Sequence, residues 1–251
     1  MSKKNAFLIH LAASLFVFSI ILMLIVYVWY PAPYFDTDYR MKWIAMIAFV
    51  DVVIGPGLTL LVYRADKPTV RFDMSVILIL QITALSWGVF SAWKGHPVTN
   101  VYFDGEIYCM DREELKATGA AEALIAGSMT DEIMLMLPYP ETAEQKSAYL
   151  NRDDKEKPMV FSLGQYYKPV TTDDTATFGD KQSDIKKIIE VSRDYKKEWG
   201  GLLSEYGSEK EEWRYYNFHC FTGNYVAVLD RENNKIDAVL KMKLPNFWNL
   251  K

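Results

Sequence analysis

Residues 6–29 read AFLIHLAASLFVFSIILMLIVYVW, an apolar run with one ionisable side chain, His10. A helix needs about 20 apolar residues to cross the hydrocarbon core of a bilayer. The competing interpretation is a cleavable signal peptide, because Lys3 and Lys4 precede the run. Signal peptides have an apolar region of about 7–15 residues followed by a small-residue cleavage site. This run is longer and ends in Val28-Trp29-Tyr30-Pro31, so we expect a retained transmembrane helix.

Two further apolar runs follow, Trp43 to Tyr63 and Phe72 to Trp93. Tryptophan and tyrosine at the ends of such runs favour the interface between bilayer and water. A buried helix of a soluble protein is the alternative for the second run, and its aromatic ends argue against it. The sequence therefore predicts a three-helix transmembrane domain in residues 1–95.

The basic residues of the short loops predict the orientation, since cytoplasmic loops are enriched in lysine and arginine. With the N-terminus inside, five cations are cytoplasmic: Lys3, Lys4, Arg64, Lys67 and Arg71. The other side receives three: Arg40, Lys42 and Lys94. We therefore expect a multi-pass membrane protein with a cytoplasmic N-terminus and a C-terminal domain on the opposite side, which is periplasmic or otherwise extracytoplasmic.

The chain after Trp93 is polar and charged, which predicts a folded domain outside the membrane in residues 96–251. The net charge of −4 and the isoelectric point near 5.5 come without a basic patch, so we expect no nucleic-acid partner. Alternating apolar residues and turn signals predict an α+β domain with an antiparallel sheet.

The elements of this domain follow from local patterns. A hairpin is expected around Asp104-Gly105, and Asp111 with Glu114 forms a capping box at the start of a helix. Further elements are a strand at 132–137, a helix at 142–150, one long helix from Ser183 to about Leu203 that Gly200-Gly201 ends or kinks, and a closing meander of three antiparallel strands at 213–221, 224–229 and 236–243.

Two cysteines, Cys109 and Cys220, lie in the polar part of the chain. A periplasmic location permits a disulfide between them. Closing a loop of about 110 residues would stabilise the fold by roughly 4–5 kcal/mol through the entropy of the unfolded chain. Two buried free thiols are the alternative.

The sequence carries no recognisable catalytic motif: no G-x-S-x-G, no H-E-x-x-H and no P-loop. Two of the three histidines, His10 and His96, belong to the membrane part, and His219 neighbours Cys220. We expect no enzyme activity, no metal site and no cofactor.

Asp51 is the exception among the intramembrane residues. A carboxyl group at mid-bilayer costs about 2.5–3.5 kcal/mol on insertion scales, so such residues usually face a partner. One interpretation is an internal hydrogen bond from a polar side chain at similar depth: Gln81, Thr83 or Ser19. The other is a contact with a second membrane protein.

Gly55-Pro56-Gly57 lies one turn beyond Asp51. Proline has no backbone N–H, so Pro56 frees the carbonyl of Val52. Glycines let another helix approach closely. The triplet predicts either a kink for internal packing or a docking groove.

The N-terminal region resembles the TfpX/TfpZ family of type IV pilin accessory proteins. The resemblance rests on Phe7-Leu-Ile-His-Leu-Ala-Ala-Ser-Leu15, Trp29-Tyr-Pro-Ala-Pro-Tyr-Phe35, Val50-Asp51-Val-Val-Ile-Gly-Pro-Gly-Leu-Thr-Leu60, Arg71-Phe-Asp-Met74, Gln81 and His96-Pro97-Val98. It covers roughly the first 105 residues, and members often have another basic residue at the position of His96. No motif of the C-terminal domain is matched.

The resemblance implies a non-enzymatic inner-membrane accessory factor of type IV pilus biogenesis whose partner is the major pilin, with inner-membrane components of the assembly machine as further partners. Combined with the residue patterns, it predicts a partner-binding set of Asp51, Gly55, Pro56, Gly57 and Gln81. The alternatives are a pilin-modifying membrane enzyme, a membrane sensor and a structural component of the pilus machine.

Overall fold

The computed structural model describes residues 2–31, 34, 44–121, 135–151, 158–171, 174, 182–220 and 223–242. The chain divides into two compact units. The first holds residues 2–31 and 44–96, and the second holds residue 34 and the described residues from 97 onward.

The first unit contains three long helices, α1 (Lys3–Trp29), α2 (Ile44–Val62) and α3 (Val70–Lys94). All three are long and apolar enough to cross a membrane, and large apolar side chains cover their outer surfaces, with Leu61 and Phe72 each more than 70% exposed. This is the arrangement expected of helices whose solvent is lipid. The three predicted helices are therefore present, and they indicate membrane association.

Polar side chains and one close approach connect these helices. His10 on α1 lies 2.6 Å from Thr59 Oγ1 on α2. The Tyr30 hydroxyl, just after α1, donates to the carbonyl of Ala92 on α3. At Gly88 on α3, an added Cβ would lie 2.8 Å from Ile47 of α2, so the glycine permits the two helices to pack closely.

The second unit is built on a seven-stranded sheet in the order β4-β3-β1-β2-β5-β6-β7. Its strands are β1 (Pro97–Phe103), β2 (Glu106–Asp111), β3 (Leu135–Met136), β4 (Lys168–Pro169), β5 (Trp213–Cys220), β6 (Gly223–Asp230) and β7 (Lys235–Leu240). The hairpin turns at Asp104-Gly105, where both residues have positive φ, and the closing three strands form the expected meander.

The prediction of an antiparallel sheet is wrong, because the sheet is mixed. β1 pairs with β3 in parallel, and β2 pairs with β5 in parallel. Hairpin signals in the sequence report pairing between neighbouring strands only. The β2–β5 pair joins segments more than a hundred residues apart, and it connects the first half of the sheet (β1–β4) to the second half (β5–β7).

The described residues of this unit form four α-helices, α4 (Arg112–Ala117), α5 (Ala143–Asn151), α6 (Ile185–Glu190) and α7 (Arg193–Tyr206). The capping box of Asp111 and Glu114 is confirmed at the start of α4. The single helix predicted from Ser183 to about Leu203 is wrong. Ser192 leaves the helical conformation with φ −145° and caps α7 by accepting from the amide of Asp194. The serine hydroxyl competes with the helical bond, which breaks the segment in two.

Gly200-Gly201 neither ends nor marks a break in α7, contrary to expectation, because the helix continues to Tyr206. The residue after its last turn is Gly207, with φ 82°. That left-handed conformation suits glycine at a helix end. Pattern reasoning placed the stop at the wrong glycine.

Apolar residues fill both faces of the sheet. On one face, the disulfide-side cluster contains Tyr34, Ile107, Cys109, Phe218 and Cys220 among its buried members. On the other face lie two clusters, a first-half cluster around Tyr108, Met110 and Leu163 and a second-half cluster around Trp213, Tyr215 and Leu202. Alternation along the strands explains this division, since successive side chains point to opposite faces.

Candidate functional site

The intramembrane candidate site centres on Asp51, a residue that is only 6% exposed. Gln81 of α3 donates from Nε2 to Asp51 Oδ1 at 3.2 Å and to the Asp51 carbonyl at 3.3 Å. Gly55 makes this contact possible, because an added Cβ would lie 1.8 Å from Gln81 Nε2. Three of the predicted residues therefore form one contact between α2 and α3.

The local backbone explains why Gln81 is needed. Residues Phe49–Ile54 form a π-helical turn, and the amide of Gly55 donates to the carbonyl of Val50, five residues back. In this register the next acceptor is the carbonyl of Asp51, and the next residue is Pro56, which has no N–H. The prediction that Pro56 frees the carbonyl of Val52 is therefore wrong, because the carbonyl that lacks a backbone donor is that of Asp51. Gln81 supplies the donor that proline lacks.

The remaining candidates lie elsewhere. The Thr83 hydroxyl donates to Ile79 and the Ser19 hydroxyl to Leu15, each within its own helix, so neither makes the predicted bond to Asp51. Gly57 faces open space, with nothing within 4 Å of an added Cβ. Of the two interpretations of Asp51, the structure contains the internal hydrogen bond from Gln81.

The second carboxylate oxygen of Asp51, Oδ2, is not bound by Gln81. Within the part of the chain that the structure describes, Oδ2 is buried and has no hydrogen-bond partner. A buried acceptor without a donor costs about 1–3 kcal/mol in proteins, and such groups are usually kept for a reason. The group that would satisfy it is a hydrogen-bond donor, an amide, a hydroxyl or an ammonium.

In the second unit, Cys109 and Cys220 are joined in a disulfide. They are register partners at the end of the parallel β2–β5 pair, and both are buried. The bond therefore ties the first half of the sheet to the second. Nearby, Tyr34 is fully buried, its ring lies 6.0 Å from that of Phe218, and Asn100 donates to its hydroxyl.

The opposite face of the same junction carries a polar cluster that sequence reasoning missed. Glu106 accepts from the Tyr108 hydroxyl, and His219 Nε2 lies 3.4 Å from the Glu106 carboxylate. The Tyr108 and His219 rings stack 4.6 Å apart. Burial raises the pKa of Glu106, but hydrogen bonds from His219, Tyr108 and Asn217 together lower it by more than burial raises it. The pKa of Glu106 therefore lies below its ordinary value.

The signal for this cluster was the shared parity of its residues. In the parallel register, residue 106 on β2 pairs with 217 on β5, and 108 pairs with 219. Their side chains therefore point to the same face of the sheet. Finding it required knowing that these strands pair in parallel, which no local pattern reveals. Within the described ranges, no three histidine, cysteine or acidic side chains are grouped so that they could hold a metal ion.

The protein combines three long apolar helices, which indicate membrane association, with a disulfide-bonded mixed-sheet domain that follows them in the chain. The model of the family "Fimbrial assembly protein FimB" matches residues 1–37. A fimbrial assembly protein of Dichelobacter nodosus, serogroups C1 and C2, is 32% identical over 96 residues, which cover 38% of this chain and 73% of that protein. The chain therefore belongs to the family of fimbrial assembly proteins.

Two further relatives are longer. The fimbrial assembly proteins of Dichelobacter nodosus serogroups I and E1 are 29% and 28% identical over 118 residues, which cover 46% of this chain and 46% of each relative. The chain thus matches about half the length of these two proteins. No solved structure matches the chain. Family membership supports a role in the biogenesis of fimbriae, or type IV pili.

Proposed function

We propose that the protein is a non-enzymatic accessory factor of type IV pilus biogenesis, of the TfpX/TfpZ kind, that acts on the pilin subunit in the bacterial inner membrane. The observation that carries this proposal is the combination of fimbrial assembly relatives with a buried intramembrane carboxylate that has an oxygen to spare.

The membrane unit acts on the apolar helix of the pilin before assembly. Gln81 holds one oxygen of Asp51 and the adjacent carbonyl, so the side chain has a fixed direction and Oδ2 remains available to a donor. Intramembrane ionisable residues are functional by default. A polar group of the pilin helix, or its N-terminal amine, supplies the donor when α2 and its neighbours separate to admit it.

The outer face of α2 offers the route of approach. Gly57 is an open position on this helix, and the side chains one turn to either side, Val53 and Leu61, are 56% and 72% exposed. A glycine between large apolar side chains leaves a notch that another helix can enter closely. In this arrangement Gly55 and Pro56 shape the helix from inside while Gly57 contacts the partner.

The domain outside the membrane contacts the head of the same pilin. It faces the periplasm under the predicted orientation, where its disulfide forms. The protein thereby holds both parts of one subunit and stabilises it or delivers it to the assembly machine.

A deletion strain tests the proposal. We expect fewer surface pili, with the intact mass of pilin unchanged, and restoration by the wild-type gene. Complementation with Asp51→Asn should restore piliation only in part, whereas the surface variant Lys187→Gln should restore it fully. A changed pilin mass would instead indicate a pilin-modifying enzyme, and full piliation in the deletion strain would refute the proposal.

A further inference from the structure

The hydroxyl of Thr59 on α2 differs from three other hydroxyls of the membrane helices. Those of Ser19, Ser75 and Thr83 donate to the carbonyl four residues earlier in their own helix. Among the described residues, Thr59 makes no such bond, and its one hydrogen bond joins Oγ1 to Nδ1 of His10 on α1. Because Thr59 is fully buried, its hydroxyl depends on α1 for an acceptor.

This contact determines which ring nitrogen of His10 carries the proton. A buried hydroxyl hydrogen without an acceptor is costly, and His10 Nδ1 is the acceptor that the described residues offer to Thr59. Thr59 therefore donates and Nδ1 accepts. In a neutral imidazole one nitrogen accepts and the other donates, so we assign the proton of neutral His10 to Nε2.

The Nε2–H group of His10 has no hydrogen-bond acceptor in the part of the chain that the structure describes. His10 is half-buried, so a group from outside the three helices can reach its ring. The residue is close enough to Asp51 to interact with it electrostatically, although the two side chains do not hydrogen-bond to each other. An unsatisfied donor on α1 thus accompanies the unsatisfied acceptor on α2, Asp51 Oδ2.

Both groups belong to the contact between α1 and α2. Ala6 and Ser14, four residues to either side of His10, are buried, so His10 lies on the face of α1 that packs against its neighbours. On α2, Asp51 and Thr59 are buried as well. The donor and the acceptor are therefore held by two adjacent helices rather than by one mobile segment.

The two unsatisfied groups indicate which occupant suits them. An ammonium group satisfies Asp51 Oδ2 but has no lone pair for the N–H of His10. A carboxylate accepts from His10 but brings a second negative charge close to Asp51 in an apolar medium, which is costly. A hydroxyl or a carboxamide both donates and accepts, and it is neutral, so of these three classes it alone satisfies both groups.

We propose that His10 and Asp51 form a two-point site for a neutral hydroxyl or carboxamide side chain on a partner transmembrane helix. The partner group donates to Asp51 Oδ2 and accepts from the Nε2–H of His10. Thr59 and Gln81 hold the two side chains in position. The inference rests on the proposed function, which makes the partner helix that of the pilin.

Co-purification of the major pilin with the full chain from detergent-solubilised membranes tests the site through two substitutions of one residue. His10→Phe removes the donor and should lower pilin recovery by about 3-fold or more, the factor that corresponds to an average hydrogen bond between membrane helices. His10→Gln keeps a carbonyl for Thr59 and an N–H for the partner, so its recovery should stay near that of the wild type. Unchanged or higher recovery with His10→Phe overturns the inference, because an ammonium occupant would give that result.

A second variant separates binding from folding. His10→Phe leaves the Thr59 hydroxyl without its acceptor, so Thr59→Val is added to remove that hydroxyl. The double variant should unfold in micelles close to the wild-type midpoint and still recover less pilin. Recovery that returns to the wild-type level with Thr59→Val overturns the inference, since the loss then came from folding.

The combination of His10→Phe with Asp51→Asn tests whether one partner group bridges both residues. The combined loss should be smaller than the product of the two separate losses, because either substitution already disrupts the shared contact. Losses that simply multiply overturn the two-point site. A loss with Asp51→Asn but none with His10→Phe also overturns it and leaves the proposed function standing, whereas failure of the wild type to retain any pilin refutes the proposed function itself.

Discussion

Replacing Gly55 by alanine probes the contact that organises α2. The new Cβ would lie 1.8 Å from Gln81 Nε2, 2.3 Å from its Cδ and 2.8 Å from its Oε1. Carbon and nitrogen atoms in contact stay about 3.5 Å apart, so the amide group must move by more than an ångström. Its bonds to the carbonyl and to Oδ1 of Asp51, already 3.3 and 3.2 Å long, are then lost.

The magnitude follows from these two bonds. Hydrogen bonds between membrane helices average about 0.6 kcal/mol, with a maximum near 1.7 kcal/mol. Loss of both costs about 1–3 kcal/mol, and the better helix propensity of alanine returns up to about 1 kcal/mol. We expect Gly55→Ala to lower the free energy of unfolding by about 1–2 kcal/mol.

The assay is unfolding of the full chain in detergent micelles, followed by tryptophan fluorescence. Gly57→Ala is the matched control, because nothing lies within 4 Å of its added Cβ, and it should be neutral or slightly stabilising. Gln81→Ala removes the clash, so adding Gly55→Ala to it should cost little more. The reasoning is refuted if Gly55→Ala behaves like Gly57→Ala, or if the losses from Gly55→Ala and Gln81→Ala simply add.

The remaining predictions concern the second unit. Replacing Cys109 and Cys220 by alanine opens a loop with a sequence separation of 111, so the unfolding free energy should fall by about 4–5 kcal/mol, and an unchanged urea midpoint would contradict this. Tyr34→Phe deprives Asn100 of an acceptor and should cost about 1 kcal/mol in the same assay. Because the pKa of Glu106 is lowered by folding, the carboxylate stabilises the domain above its ordinary pKa, and this contribution is lost as pH falls through the lowered value. Glu106→Gln should therefore flatten the pH dependence of the urea midpoint as the pH falls below the ordinary pKa of a glutamate, and an unaltered profile would be evidence against a lowered pKa of Glu106.

Local patterns were sufficient for much of the fold. Apolar runs predict the three helices of the first unit, because length and hydropathy alone determine which segments suit a bilayer. Asp111 with Glu114 and the turn at Asp104-Gly105 specify their own backbone geometry within four residues, and both predictions hold. The cysteine pair was likewise accessible, since two cysteines in one domain allow a single bridge.

Long-range pairing was beyond the sequence. The parallel β2–β5 pair depends on which strands meet after the chain has folded, and neither strand encodes its partner. The Glu106 and His219 contact was missed for the same reason. The break at Ser192 was missed for a different reason. The helical spacing of apolar residues continues across Ser192, but its hydroxyl caps the next helix and ends the previous one.

At the candidate site, the sequence was sufficient to single out the residues but not to predict their contacts. Asp51 was recognisable because a carboxylate in an apolar run is rare, and Gln81 because it is the most polar residue in the interior of the third run, away from its ends. Their direct hydrogen bond, and the role of Gly55 beneath it, required the relative rotation of two helices. The π-helical turn that moves the orphaned carbonyl to Asp51 has no sequence signal beyond the proline that follows it.

The most direct test of the intramembrane contact with pilin is co-purification of the major pilin with this protein from detergent-solubilised inner membranes, comparing wild type with Asp51→Asn. We predict that pilin is retained by the wild type and recovered at a clearly lower level with the variant, since one acceptor oxygen is replaced by a donor. Equal recovery with both would contradict the intramembrane contact, and no pilin with either would contradict the claim that this protein holds the pilin subunit.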